Sequence, residues 1–436
     1  MSVAICRRGT WVVGLLLCWV VWLLSSFPVC ANEYNYNQFA MGDRASGMGG
    51  VGVADAIAPD APYYNPAGLG RARHDSISFM ATLYGFRRYG VDSSFATGED
   101  LKTDTFEIVP ATAGSVMMLG SNTAAAFSMF ITEQSTVSEI QSHQDGQHYF
   151  NFSATDKTLW IGPSLGHQLN ERWLIGAGAY VTYRDNSEFD SMYWRDYHTA
   201  YSFSKKFYHY GLLGTLGVQY LPTEHWRFGV VAQTPSASLQ GEGKIQVHQI
   251  STDPNNTYDE MVYADGLEAN NRIPGKLGAG IAYTRSKNWS LALDVTYHFP
   301  ASYRSVEGDP DGEIESVYMR KESVLDFSLG GEYYVRGIYP VRAGFFTSHS
   351  SASDIELDGE SQSFADSQAP QINLYGVTFS VGRETARVNV NMGVNYIFGS
   401  GDAQGWDCEH PDDIHQTKVS ASEQSLYFFF TTSYLL

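Results

Sequence analysis

Along most of the chain apolar and polar residues alternate one for one. In WSLALDVTYHF, Trp289, Leu291, Leu293, Val295, Tyr297 and Phe299 share one face, and Ser290, Ala292, Asp294, Thr296 and His298 share the other. ARVNVNMGVNYIF does the same, with Val388, Val390, Met392, Val394, Tyr396 and Phe398 opposite Asn389, Asn391, Gly393 and Asn395. A period of two predicts strands rather than helices. Fourteen such segments begin near residues 76, 104, 122, 148, 172, 206, 225, 271, 288, 316, 338, 370, 385 and 422.

The connections predict how the strands are arranged. Short ones fall near 120–122, 168–171, 221–225, 285–288, 335–338 and 383–386. Long ones fall near 90–103, 136–147, 188–205, 241–270, 301–315, 349–369 and 400–421. They alternate without exception. A soluble all-β protein has no reason to alternate its loop lengths, and its outward faces would be polar. A transmembrane β-barrel of about 14 antiparallel strands accounts for both features. Its apolar face meets lipid, aromatic residues cap that face at the interfaces, and short turns lie on the periplasmic side. Both termini are then expected in the periplasm. The last strand, SLYFFFTTSYLL, alternates like the others but ends in Leu436 rather than an aromatic residue.

Composition fits this reading. Charged residues make up 17% of the chain, which is low for a soluble domain, while 28 Tyr, 24 Phe and 9 Trp make it rich in aromatic residues. At the N-terminus, Arg7 and Arg8 precede an apolar run from Trp11 to Leu24 and the small-residue sequence Val29-Cys30-Ala31. This pattern predicts a signal peptide over 1–31, cleaved after Ala31. Cleavage removes Cys6, Cys18 and Cys30 and leaves Cys408 alone, so no internal disulfide is expected. Removing Arg7 and Arg8 leaves 28 − 2 = 26 basic residues against 47 acidic ones, a net charge of −21. That charge excludes nucleic acid as a partner.

Gly47-Met48-Gly49-Gly50-Val51-Gly52 spells G-x-G-x-x-G, the phosphate-binding fingerprint of dinucleotide enzymes. That mechanism needs a buried strand before the loop and a helix after it. The preceding NEYNYNQFAMGD is polar and aromatic, and Pro59 and Pro62 interrupt the residues after the glycines, so the fingerprint reading fails.

The stretch NQFAMGDRASGMGGVGVADAIAPDAPYYNPAGL, Asn37 to Leu69, instead resembles the N-terminal region of the FadL-type outer-membrane transporters. The shared features are a Gly-rich run, then small residues with Ala-Asp, then Asn65-Pro66-Ala67. RIPGKLGAGIAYTRSKNWSLALDVTY, residues 272–297, is similar to that family's strand pair after its central long loop. The resemblance implies an N-terminal hatch over 32–75, folded inside a barrel over 76–436. On it, Gly47, Gly49, Gly50 and Gly52 would pack the hatch closely, and Asn65, Pro66 and Ala67 would form its terminal turn. It further implies passive uptake of hydrophobic molecules, above all long-chain fatty acids, across the outer membrane of a Gram-negative cell. A carrier of aromatic hydrocarbons and a non-transporting surface scaffold or adhesin are the alternatives.

Alternation places Arg184, Arg227, Arg272, Lys276 and Arg342 on the inward face, with Asp294, Asp326 and Glu332. A polar lumen is the ordinary state of such a barrel, and these charges are expected mostly to pair. The functional reading gives one or two cations a substrate carboxylate to hold. Arg272 and Lys276, two alternations apart on one strand, are the preferred candidates, with Arg342 and Arg184 behind them. In the long connection 188–205, Met192, Tyr193, Trp194 and Tyr197 are candidates for an apolar landing groove at the outer surface. Asp309, Asp311 and Glu313 look like part of a calcium loop but lack the distal bidentate Glu, and an acidic surface loop explains them. No catalytic constellation is present, and no metal or organic cofactor is expected. The expected partners are hydrophobic small molecules and the surrounding outer-membrane lipid and lipopolysaccharide, around a monomeric barrel.

Overall fold

The computed structural model describes residues 33–436 except 40, 94–99, 144–147, 255, 286–287, 310, 311, 313, 315, 358–367 and 411–412. The signal sequence expected over 1–31, and Asp311 and Glu313 of the acidic loop, lie outside these residues. The strands are β1 (Ser76–Val91), β2 (Leu101–Met118), β3 (Thr123–His143), β4 (His148–Gln168), β5 (Trp173–Trp194), β6 (Thr199–Tyr220), β7 (Trp226–Gln233), β8 (Ala237–Asp253) and β9 (Asn256–Glu268). They continue with β10 (Lys276–Arg285), β11 (Trp289–His298), β12 (Ala301–Val306), β13 (Val317–Lys321), β14 (Val324–Val335), β15 (Tyr339–Ser348), β16 (Gln371–Glu384), β17 (Val388–His410) and β18 (Asp413–Leu435).

Fourteen of them close a ring of antiparallel neighbours. It runs β1 to β7, then β10, β11, β14, β15, β16, β17 and β18, and returns to β1. Every strand of that ring has a partner on both sides, as a sheet in lipid requires. Among the described residues no helix is long and apolar enough to cross a membrane. The outward faces carry Ile77, Phe79, Phe127, Leu165, Ile175, Val181, Leu216, Val230, Leu277, Leu293, Phe327, Val377 and Phe379, all exposed in the isolated chain. In water such a surface would be unfavourable; against acyl chains it is the expected one.

Aromatic pairs mark both rims of this apolar band. Near the short turns Trp173 lies 4.4 Å from Tyr220, Trp226 4.8 Å from Tyr283, and Tyr283 5.4 Å from Trp289. Toward the other end Tyr297 pairs with Phe299 and Tyr375 with Phe398. Along β11 the two rims, Trp289 and Tyr297, are eight residues apart, about 26 Å of strand. Counted inclusively that is nine residues, within the roughly 9–11 that a tilted transmembrane strand needs.

The wall is uneven in height. β3 to β6 are 21 or 22 residues long and β17 and β18 are 23, while β7, β10, β11 and β15 have 8 to 10. The tall strands therefore rise beyond the membrane. This corrects the sequence reading of 136–147, 188–205 and 400–421 as loops, since most of these residues continue strands. Residues 241–270 are likewise mostly the β8–β9 hairpin. Its first strand replaces β7 as the partner of β6 above Leu212. The strand expected near 316 is β13, which pairs only with β12 in a separate hairpin, and the wall strand of that region begins at Val324 instead. Alternation cannot make that distinction, because a short extramembrane hairpin alternates as a wall strand does.

Above the low side the extensions build a small core of their own. Met192, Trp194, Phe203, Phe207, Ile245, Val306 and Ile314 are buried together there. This cap lies at the long-loop end of the ring.

Candidate functional site

Residues 33–75 run down the inside of the ring, touching its inward face on several sides. Glu33 starts at the long-loop end, beside β13, and Asp75 finishes at the short-turn end, where its carbonyl accepts from the Leu436 amide. The described segment thus begins at the end opposite the C-terminus. The chain must cross the lumen once before β1 begins.

The Gly-rich run lies flat on the wall. Residues Ala45–Met48 form a 3-10 turn that stops at Gly49 with φ +68°, a conformation that suits Gly. Gly49 donates to Thr378 Oγ1 at 2.8 Å and lies against the Phe345 backbone. Opposite it, Gly344 has no space for a side chain against Gly49. Gly47 faces Ser380 and Arg342, Gly52 faces the Tyr64 ring, and Gly50 has φ +77°. After α1 (Ala61–Tyr64), Asn65 Oδ1 accepts from the Ala67 amide at 3.1 Å and caps the turn beginning at Pro66. Asn65 Nδ2 donates to the Val53 carbonyl at 2.7 Å and to Val218 of β6 at 3.1 Å. One Asn therefore ties two parts of the segment to the wall.

Charges hold the segment at three levels. At the outer end Glu33 pairs with Arg184 at 2.7 Å and Lys321 at 3.2 Å. At mid-depth Asp294 Oδ2 accepts from the Gly52 and Val53 amides at 2.6 and 2.8 Å. Near the short turns Asp55 gathers Arg44 at 2.7 Å, Arg71 at 3.5 Å and Arg227. These three arginines line a cavity of about 500 Å³ that also meets Trp289 and Gly337, at the short-turn end.

The Glu33 pair has a pH signature. Burial raises its carboxyl, but Arg184 and Lys321 outweigh it and hold the group down at about 2. Its folded value lies below the ordinary 4.5, so its contribution is complete above that value and is lost as pH falls toward 2. Hydrogen exchange of residues 33–37, corrected for intrinsic rate, is expected to accelerate over that window. Glu33→Gln should show the fast rate at every pH; a variant with the same acid-dependent step would refute the assignment.

Between wall and segment lies a second, smaller cavity of about 70 Å³. Rings line it: Tyr36, Tyr63, Tyr64, Trp160 and His298, with Tyr36 stacked on His298 at 4.2 Å. Lys276 enters from the first residue of β10, its Nζ 5.1 Å from the Tyr63 ring centre. Among the described residues no carboxylate lies within ion-pair distance of it. Other polar atoms on the lining also have no hydrogen-bond partner, including Trp160 Nε1, Gln233 Oε1, Asp294 Oδ1 and His298 Nε2. An unmet buried polar group costs about 1–3 kcal/mol, so their gathering around one cavity suits a polar occupant.

The wall is open to one side of this region. β2 and β3 pair over only seven residues, Thr112–Met118 with Phe130–Ala124. Beyond them β2 pairs with β1 and β3 with β4, but among the described residues not with each other. β3 is bulged between Ile131 and Glu133, and Pro110 in β2 has no N–H to donate. A narrow pocket here connects Asp60 and Tyr63 of the inner segment with Phe79, whose side chain faces outward.

The sequence candidates therefore separate. Arg342 is buried and saturated by Glu332 and Glu384, each at 2.6 Å, and by Asn391. Arg184 is likewise taken up by Asp156, Glu33 and Asn271. Arg272 is exposed in the segment before β10, not on a strand beside Lys276, so the two do not form a clamp. Lys276 alone of the four borders the ring-lined cavity. For the landing groove, Met192 and Trp194 are 2% and 1% exposed within the cap core, and so cannot receive a solute. Tyr197 is half-buried against that core. Tyr193 faces outward, stacked on Tyr149 at 6.4 Å. Sequence reasoning does not single out Trp160, Gln233 or His298. Their inward parity is readable, but not that they meet.

No family profile matches the sequence, and no curated protein resembles it closely enough to be matched. Solved structures do match in fold. The crystal structure of the P. putida toluene transporter TodX superposes with a TM-score of 0.67 at 15% identity, covering 92% of this chain and 99% of that one. The Ralstonia pickettii toluene transporter TbuX gives 0.61 at 13%, covering 92% and 100%. A Pseudomonas aeruginosa FadL homologue gives 0.61 at 12%, covering 93% and 99%.

Proposed function

We propose that the chain is a FadL-type channel of the Gram-negative outer membrane that admits hydrophobic molecules passively, with long-chain fatty acids as its main cargo. Lipopolysaccharide is a polar barrier to apolar solutes, and a barrel with an apolar entry and an interior site offers a route past it. The unpaired Lys276 in a ring-lined cavity carries this reading: an ammonium with no partner suits an anionic head, and the rings suit the adjoining methylenes. Residues 33–75 act as a hatch between this site and the short-turn end, which faces the periplasm. The unpaired stretch of β2 and β3 gives an occupant a way sideways into the membrane.

A second reading has its own support. TodX and TbuX are described as toluene transporters, and Tyr36, Tyr63, Tyr64 and Trp160 would suit an aromatic hydrocarbon as well as an alkyl chain. The deciding experiment is mass spectrometry of small molecules extracted from the barrel purified in a mild non-lipid detergent, followed by displacement. Fatty acids displaced by oleate and not by toluene support the acid carrier; the reverse supports the hydrocarbon channel. An empty barrel that binds neither refutes transport and points to a surface scaffold.

A further inference from the structure

The orphaned atoms around the ring-lined cavity are of two kinds. Lys276 Nζ and Trp160 Nε1–H can only donate. Gln233 Oε1 can only accept in its present setting, and Asp294 Oδ1 accepts while its carboxyl is ionised. The Gln233 amide is oriented by its Nε2, which donates to the Pro274 carbonyl at 3.2 Å. Asp294 is oriented by Oδ2, which accepts two backbone amides. Gly280 pairs directly across from Asp294, and the missing side chain there is what leaves Oδ1 its room. His298 Nε2 can serve either way, by tautomer.

A hydrocarbon would meet none of these atoms. A simple carboxylate has no hydrogen to give, so it would answer the donors and leave both acceptors unmet. The cavity is small, about 70 Å³, so any donor that reaches them lies close to the acid group. We propose that this site selects an acid bearing a hydroxyl within a few bonds of its carboxylate, on an apolar chain or ring. The carboxylate sits at Lys276 and Trp160 Nε1, and the hydroxyl donates to Gln233 Oε1 or Asp294 Oδ1. The assignment rests on the transport reading above and narrows its cargo.

Equilibrium binding to the purified full-length barrel tests it with three probes of equal length: tetradecanoate, 3-hydroxytetradecanoate and 3-methoxytetradecanoate. The methoxy acid keeps the added oxygen but has nothing to donate. The hydroxy acid is expected to bind about tenfold more tightly than either of the others, the gain of one well-made hydrogen bond to a group otherwise left unpaired. Gln233→Met should collapse that ratio, the hydroxy acid losing far more affinity than tetradecanoate. Lys276→Met should weaken both acids and keep the ratio, which separates the hydroxyl contact from general damage. Equal affinity for all three probes would overturn the inference, meaning that water satisfies the acceptors, and would leave the acid carrier standing. Toluene binding with none of the three acids bound would overturn both.

Discussion

Replacing Asp55 with Ala is expected to release the inner segment while the barrel stays folded. Asp55 is 4% exposed at its side chain, and three guanidinium groups converge on it, two from the segment and one, Arg227, from β7. Its removal leaves Arg44, Arg71 and Arg227 facing one another with a carboxylate fewer. Breaking a buried ion pair from one side costs about 3–5 kcal/mol. The arginines border a cavity of about 500 Å³ that admits water, so the lower figure is the better guide here. Asp55 takes no part in the strand pairing of the ring, so heat-modifiable migration in gels should be unchanged. Ion conductance in planar bilayers should rise, because the lumen loses its obstruction. Asp55→Asn should fall between, since an amide can still accept from arginine. If Asp55→Ala conducts no better than the parent, either the segment is held elsewhere, at Asp294 or Asn65, or its undocking does not open the lumen.

The second large effect is expected at Lys276. Lys276→Met preserves the stem's contact with the Tyr63 ring and removes the charge. If a carboxylate binds there, one charge-assisted hydrogen bond worth about 1.5–3 kcal/mol disappears, and affinity for long-chain fatty acids should drop roughly 10- to 100-fold. Lys276→Arg should recover part of it. Toluene binding should be unaffected or improved, since a buried ammonium that hydrocarbon cannot satisfy has been removed. Unchanged fatty-acid affinity in Lys276→Met would end the carboxylate role and favour the aromatic reading. The two variants are independent: Asp55 acts on the segment's docking and Lys276 on the cavity, so a transport defect in one with normal binding separates gating from recognition.

The energetic logic of the lumen explains why only some cations remain candidates. Arg184 and Arg342 are 2% and 1% exposed, and each has two carboxylates and an amide oxygen. A ligand would have to displace these at full desolvation cost. Lys276 has nothing to displace. Inward parity treats the three alike; pairing distinguishes them.

How much of this is legible in the residues alone depends on the range of each interaction. Strand existence, face and number depend on neighbours two residues away, so WSLALDVTYHF and ARVNVNMGVNYIF showed β11 and β17 directly, and the alternating connections implied ring closure. The function of Gly49 and Asn65 was also near the surface of the sequence, because a positive φ and a capped turn are local demands. What needed the tertiary structure was everything set by residues far apart in the chain. Nothing local shows that Val317–Lys321 folds away from the wall, that Met192 and Trp194 turn into a cap core, or that Arg272 falls before its strand begins. Nor does any local pattern bring Trp160, Gln233, Lys276, Asp294 and His298 to one cavity, since they come from four strands spread over more than a hundred residues. Alternation decides whether a side chain points in or out. Which inward side chains meet, and which of them are left without a partner, is decided by strand register, barrel closure and the path of the segment inside.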